Sequence, residues 1–549
     1  MSSSTYSTQR HEPTYKDGRE VEWQLASTDL ASVRRWLDDH DTIDGLILEP
    51  QSTLQIFDTY FDTDDWRIYR AGFALRIRSE AGKSEVTLKS LRSSSAEKAD
   101  RRELSETLAS TESDLIAQSN GPVGVRVQAV SGAHTLQPLF EVRTSRQRYA
   151  VHAANEPQQL GEIALDDTVI SRPHGQPHSS MQRVEVEAMT EAHEPLQSLV
   201  QTLRSHCSLE SASDSKYSEG LKSVGLAPSP SPDFQPTTVD ASMRVEEVAL
   251  ANLRRFLSAW HLHEPGARLG DDPEELHDLR VAGRRLDALL RQFKDFLPAS
   301  LVRFRPTLKK VLRALGQARD LDVALLELDA FTNVLSETDQ ASLDPLKQHL
   351  LAERLRSRQK MLAVLDSNAV QKEFEKLVVA LAHPSAAPAE ALPVPAVNPI
   401  PALIRTRYKK VRKGANRLAP DSSMEDYHAV RGRVKKLRYT LETVAVIFGK
   451  PAGEMVRSLR RWQEKLGTQQ DADVASRRLQ ALAMQPPKGL PPETLFLMGR
   501  LAAHYADRAL KARKRHPRAY RKVRGRWKAL KSKLEQLTPH EAPLPSSGP

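Results

Sequence analysis

The chain has one cysteine in 549 residues, Cys207. A single thiol forms no intramolecular disulfide and no thiolate metal cluster, so a disulfide-stapled scaffold is excluded and a reducing cytoplasm is expected. Aromatic residues are only 5% of the chain and are not interleaved with basic ones, which disfavours stacking on nucleic-acid bases. No apolar run reaches the roughly 18 residues that a membrane span needs. The first 18 residues are polar and lack the apolar core of a secretory signal. A chain of this length exceeds one hydrophobic core, so two or more domains are expected.

The overall charge hides a division. Residues 1–230 hold 24 Lys and Arg against 34 Asp and Glu, whereas residues 231–549 hold 56 against 36. An acidic half is joined to a strongly basic one, and the basic half suits a polyanion. The basic half also repeats itself. His277, Arg280, Arg284 and Arg285 recur as His428, Arg431, Lys435 and Lys436. The same offset of 151 residues carries Leu315-Gly316 onto Leu466-Gly467, Asp320 onto Asp471 and Asp322 onto Asp473. Two motifs sharing one offset indicate an internal duplication.

In the first half, apolar and charged residues alternate at strand period. Glu20 and Glu22 share a face opposite Val21 and Trp23; Glu185 and Glu187 alternate with Val184 and Val186. Arg76 and Arg78 oppose Leu75 and Ile77, and Glu85, Thr87 and Lys89 fall together. Further strands are expected at 55–62, 101–106, 140–146, 148–152 and 162–166. A closed antiparallel barrel with these charged faces turned inward sets carboxylates opposite guanidinium and ammonium groups. Carboxylates offer hard oxygen ligands to Mg²⁺ or Mn²⁺, and Arg grips phosphate oxygens bidentately.

These pieces, with Tyr60-Phe-Asp-Thr63, Arg101-Arg-Glu103, Glu162-Ile-Ala-Leu-Asp166 and Ser215-Lys216, resemble the CYTH domain of the triphosphate tunnel metalloenzymes. The resemblance covers about 18–225. It implies an eight-stranded antiparallel β-barrel and a metal-dependent inorganic triphosphatase, cleaving triphosphate to diphosphate and phosphate. Carried over by position, Glu20, Glu22, Glu185 and Glu187 hold Mg²⁺ or Mn²⁺ with help from Glu103. Glu20, Glu22 and Lys89 are the catalytic set. Arg76, Arg78, Lys89, Arg101 or Arg102, Arg146 and Lys216 bind the phosphate oxygens. The chain departs from the family where Gln24 replaces a lysine, Arg183 an acid and Ser105 a glutamate. These departures motivate the alternative of a non-catalytic, polyphosphate-binding protein with a degenerate tunnel.

Four prolines within 227–236 mark a linker. Beyond it the apolar period becomes helical. His277, Arg280 and Arg284 line one helix face, as do His428, Arg431, Lys435 and Arg438. Leu315-Gly316 and Leu466-Gly467 read as turns, and Asp320 and Asp471 after them either cap helix N-termini, the favoured reading, or orient the arginines. The repeated motifs resemble the CHAD domain, over about 240–535. That resemblance implies two pseudo-symmetric helical bundles that bind inorganic polyphosphate through a basic groove. Its expected contributors are His277, Arg280, Arg284, Arg285, Lys309, Lys310, Arg313, His428, Arg431, Lys435, Arg438, Arg460 and Arg461. Polyphosphate granules are then the expected location within the cytoplasm. The expected organisation is a tail at 1–17, the barrel at 18–225, a linker at 226–238, helices at 239–537 divided near 383–401, and a tail at 538–549.

Overall fold

A computed structural model describes residues 15–91, 98–154, 158–190, 193–228, 234, 237–333, 335–382, 395–487 and 489–537. The expected tails lie outside the described residues at 1–14 and 538–549, as do much of the linker and of the mid-helical proline stretch. The chain divides into two compact units. One is Met1–Ser231 with Glu264–Asp272, and the other is Pro232–His263 with Pro273–Pro549. The segment Glu264–Asp272 thus groups with the first unit, against the expectation that all of 239–537 belongs to the second.

In the first unit, eight strands close into a ring. They are β1 (Tyr15–Ser27), β2 (Leu54–Asp62), β3 (Phe73–Glu80), β4 (Lys83–Ser90), β5 (Lys98–Leu108), β6 (Gln137–Ala153), β7 (Gln159–Ser171) and β8 (Pro177–Ala188). The spatial order is β6-β2-β3-β4-β5-β1-β8-β7, and β7 pairs back onto β6. Every neighbouring pair is antiparallel, so no edge is left in the ring. Two expectations change here. The segments 140–146 and 148–152 are one continuous strand, β6, and β1 begins at Tyr15, inside the expected tail.

The alternation read from the sequence decides which way each strand faces. Val21, Trp23, Leu25, Val184 and Val186 point out of the barrel and pack with Leu196, Leu199 and Leu203 of the helix His193–Cys207. On another flank Leu75, Ile77, Val86, Leu88 and Leu104 meet Val123, Val127 and Val130 of the helix Pro122–Ser131. Each such buried side chain contributes about 1.5–3 kcal/mol. The barrel is therefore dry outside, beneath its helices, and charged within.

A short helix, Lys216–Ser223, packs on the inward residues Tyr60, Phe140 and Val142 through Tyr217 and Leu221. Ser215 caps it, its hydroxyl accepting from the Ser218 N–H at 3.2 Å. Gly220 permits the approach, because a Cβ there would stand 2.1 Å from Phe140 Cε2.

The second unit is helical. Its longer elements include Val245–Leu269 as far as His263, Pro273–Gln292, Arg305–Thr332, Asp344–Leu365, Pro399–Ala415, Met424–Met484 and Pro492–Leu537. Met424–Met484 breaks at Gly449, whose φ of 64° lies in the left-handed region. The expected turns at Leu315-Gly316 and Leu466-Gly467 are absent: both dipeptides lie inside continuous helices. Asp320 and Asp471 are consequently helix-interior residues and not N-caps. The glycines serve a different purpose. A Cβ on Gly316 would lie 3.7 Å from Arg280 Nη2, and one on Gly467 would lie 3.2 Å from Arg431 Nη2. Each repeat lays its motif arginine across its own glycine.

Replacing Gly220 with alanine should lower the midpoint of the barrel's unfolding transition by an amount equivalent to about 1–3 kcal/mol, since the rigid Phe140 ring cannot yield. Denaturant titration followed by barrel-specific probes checks this.

Candidate functional site

Strand register gathers the inward charges. Lys89 of β4 lies opposite Glu103 of β5, Arg78 of β3 opposite Asp58 of β2, and Arg146 of β6 opposite Asp166 of β7. Glu22 and Gln24 of β1 face Glu187 and Glu185 of β8. All of these but Asp58 and Asp166, which lie behind their arginines, line a cavity of about 210 Å³. Its wall includes Glu20, Glu22, Glu103, Glu185 and Glu187, and also Arg76, Arg78, Lys89, Arg101, Arg146 and Lys216. Arg102 is not among them. It points the other way from Arg101 and pairs with Asp17 at 3.0 Å, as strand alternation requires.

Three ion-pair clusters organise the cavity. The Lys89 ammonium contacts Glu20, lies 3.1 Å from Glu22 and stands 3.8 Å from Glu103. Arg78 grips Asp58 with two bonds of 2.8 and 2.9 Å, and Arg76 stands 3.7 Å from the same carboxylate. Arg146 holds Asp166 and Glu185, each at 2.7 Å, and Lys216 contacts both. Asp58 and Asp166 were missed as site residues. Neither has an acid two residues away on its own strand, and only the register places them beside arginines.

Burial opposes ionisation of Asp58, yet the Arg78 and Arg76 guanidiniums hold it at about 2. Burial likewise opposes Glu185, but Lys216 and Arg146 keep it well below the usual carboxylate range. Glu187 has no such ion pair among the described residues. Burial, with the Glu20 and Glu22 charges beside it, pushes it up to about 7. The side of the cavity formed by Glu20, Glu22, Glu103 and Glu187 is therefore short of cations. The four carboxylates share the Lys89 ammonium, which contacts Glu20 Oε2 and stands 3.8 Å from Glu103 Oε2, with Arg76 3.8 Å from Glu103. Such a set of hard oxygen donors fits a divalent cation.

Gln24 donates to Glu22 at 2.9 Å and accepts from Arg183 at 3.2 Å. The two departures noted in the sequence thus touch one another, and Arg183 brings a cation to within one side chain of Glu22. Elsewhere, Asp64, Asp65 and His134 place three ligand atoms within 4.8 Å of one another. Arg67 already donates to His134 Nε2, and both Arg67 and Arg70 pair with Asp65. That cluster is neutralised by protein groups.

In the helical unit, the repeated motif produces one cationic cluster. Arg280 and Arg284 of the first copy act, with Arg431 and Arg438 of the second, on the charge of Lys435, and Arg284 acts on that of Arg280. Asp320 and Asp471 are the acids beside them: Arg280 lies 3.7 Å from Asp320, and Arg431 acts on Asp471. Arg285, Arg438 and Arg460 converge on Glu442, at 3.7, 2.6 and 3.6 Å. His277 and His428 are exposed at the start of each motif. Lys310, Arg313 and Arg461 are exposed helix residues that no ion pair among the described residues joins to this cluster. Lys309 lines a separate hollow with Lys294, Arg303 and Arg305. Asp322, expected only as a repeat marker, is buried and accepts from Arg354 at 2.6 Å.

Burial first, and then Arg284, Arg431 and Arg280, bring Lys435 down to about 7 from its ordinary 10.5. Below about 7 the residue is charged whether folded or unfolded, and the fold bears the full cost of crowding. As pH rises toward 10.5 that cost vanishes. Lys435→Met should therefore raise the melting temperature of the helical unit at about pH 6 and leave it unchanged near pH 10.5. Paired thermal melts check this.

Comparison with known proteins follows this division. The crystal structure of the CHAD domain from the plant Ricinus communis is similar at 24% identity, covering 55% of this chain and 97% of that one with a TM-score of 0.43. PptA from Streptomyces chartreusis is similar at 19% identity over 51% of this chain and 99% of that one, with a TM-score of 0.39. HpAC1 from Hippeastrum, described as an adenylyl cyclase candidate with a dominant triphosphatase activity, is similar at 17% identity. It covers 38% of this chain and 97% of its own, with a TM-score of 0.28. No curated protein sequence matches the chain. A family model of the CYTH domain matches residues 36–220, around the charged cavity, and one of the CHAD domain matches residues 251–480, around the cationic cluster. The chain therefore has a two-domain CYTH–CHAD architecture.

Proposed function

We propose that the barrel is a metal-dependent inorganic triphosphatase, releasing phosphate and diphosphate, and that the helical unit binds inorganic polyphosphate. The observation that carries the reading is the division of one cavity into a cation-rich wall and a carboxylate side short of cations. Arg76, Arg78, Arg146 and Lys216 present fixed donors to phosphate oxygens, held in place by Asp58, Asp166 and Glu185. Glu20, Glu22, Glu187 and Glu103 would hold Mg²⁺ or Mn²⁺, which neutralises phosphoryl charge when bound. Lys89 bridges the two sides. Drawn from Glu20 and Glu22, its ammonium can serve a phosphate oxygen instead. Gln24 supports turnover less directly than a lysine would, but it keeps Glu22 oriented, with Arg183 behind it.

The helical unit adds binding without chemistry. A linear polyanion relieves the repulsion among Arg280, Arg284, Arg431 and Lys435, and no base-stacking surface is required. No helix among the described residues is long and apolar enough to cross a membrane. A cytoplasmic location at polyphosphate granules belongs to the same reading.

Purified protein with Mg²⁺ or Mn²⁺ should release phosphate from inorganic triphosphate, and Glu20→Ala/Glu22→Ala should slow it by about 100-fold or more. Equal, slow release by both proteins would instead favour the non-catalytic reading that Gln24 motivates. For the helical unit, long polyphosphate should displace duplex DNA at matched salt, and Arg280→Glu/Lys435→Glu should weaken polyphosphate binding by about tenfold or more. Preference for DNA would defeat that half of the proposal.

A further inference from the structure

Tyr217 stands where two hollows of the barrel unit meet. The charged cavity and an outer hollow of about 430 Å³ share Leu91, Arg101, Ser215 and Tyr217 in their linings. The tyrosine is only 4% exposed, yet its hydroxyl has no hydrogen-bond partner among the described residues. Buried polar groups are nearly always paired, so an orphan on a cavity wall points to a ligand atom. The nearby carboxylate does not serve. Asp62 already accepts backbone N–H groups from Thr63, Ile68 and Tyr69, at 2.7, 2.9 and 2.8 Å.

The ring cannot turn away to find another partner. It lies 5.5 Å from the Tyr60 ring and 6.1 Å from that of Phe140. Gly220 seats the carrying helix against Phe140. Burial, with Asp62 beside it, raises the phenol above its ordinary value, so the hydroxyl remains a donor.

Arg101 lines the same junction and differs from the other inward cations. Arg76, Arg78, Lys89, Arg146 and Lys216 all reach a wall carboxylate. Arg101 has no ion pair among the described residues, and its buried Nε lacks a hydrogen-bond partner. Two unpaired donors, one of them cationic, therefore face the passage together.

We infer that Tyr217 and Arg101 form a donor pair that holds an anionic oxygen of a linear phosphate chain where it passes between the inner cavity and the outer hollow. This rests on the triphosphate reading of the cavity and adds a ligand-binding tyrosine to it.

Full-length protein, titrated calorimetrically with inorganic triphosphate with and without Mg²⁺, tests the inference. Tyr217→Phe keeps the ring and removes only the hydroxyl. It should weaken triphosphate binding about tenfold, as loss of a hydrogen bond to a charged group does, while the ligand-free melting temperature does not fall. Arg101→Gln should weaken binding in the same direction. Unchanged affinity in Tyr217→Phe overturns the inference, and so does a lowered ligand-free melting temperature, which would show that the hydroxyl serves the fold. Wild-type protein that binds triphosphate without cleaving it overturns the catalytic reading alone. Wild-type protein that fails to bind triphosphate overturns both.

Discussion

The barrel depends on charge compensation across its inner face. Ionised side chains pointing into a narrow barrel lose much of their hydration, and the loss is tolerable only where opposite charges meet. Seven carboxylates and six cations line the cavity, so neither sign could be packed there without the other. Lys89 among three glutamates, and Arg146 with Lys216 between Asp166 and Glu185, show how closely the signs interleave. The arrangement is preorganised for a ligand carrying both signs, a cation bound to a polyanion. Where compensation is incomplete, at Glu187 on the acidic side and Arg101 at the mouth, the wall retains capacity for exchange.

The helical unit applies the same constraint with a different balance. Its cluster holds more cations than acids, and Asp320 and Asp471 offset only part of the repulsion. The duplication also explains a detail of packing. Gly316 and Gly467 leave flat places on long helices, and Arg280 and Arg431 lie across them. Equivalent residues do not all keep equivalent roles. Arg285 turns to Glu442, whereas its counterpart Lys436 is exposed beside Arg407 and Arg291.

Much of the barrel was legible because strand alternation is a local property. Glu20 and Glu22 against Val21 and Trp23, or Arg76 and Arg78 against Leu75 and Ile77, assign faces without knowledge of neighbours. The same rule separates Arg101 from Arg102, although the pair of arginines looked interchangeable. Asp58, Asp166 and Tyr217 were not legible as site residues. Asp58 and Asp166 acquire their partners from strand register, and Tyr217 from the seating of a short helix on Phe140. The Leu-Gly dipeptides misled because glycine at a helix stop and glycine beneath a crossing arginine look alike in one dimension.

By itself the sequence determined the period of each segment, the sign of each face and the duplication, since these follow from covalent spacing and side-chain chemistry. Only the tertiary structure decided which carboxylate neutralises which cation in the cavity, because those pairs join residues 14 to 69 positions apart and depend on register. It alone closed β7 onto β6, and it alone left the Glu187 carboxylate without an ion pair and the Tyr217 hydroxyl without a hydrogen bond among the described residues. Those two outcomes require the whole wall to be in place, and no local pattern encodes them.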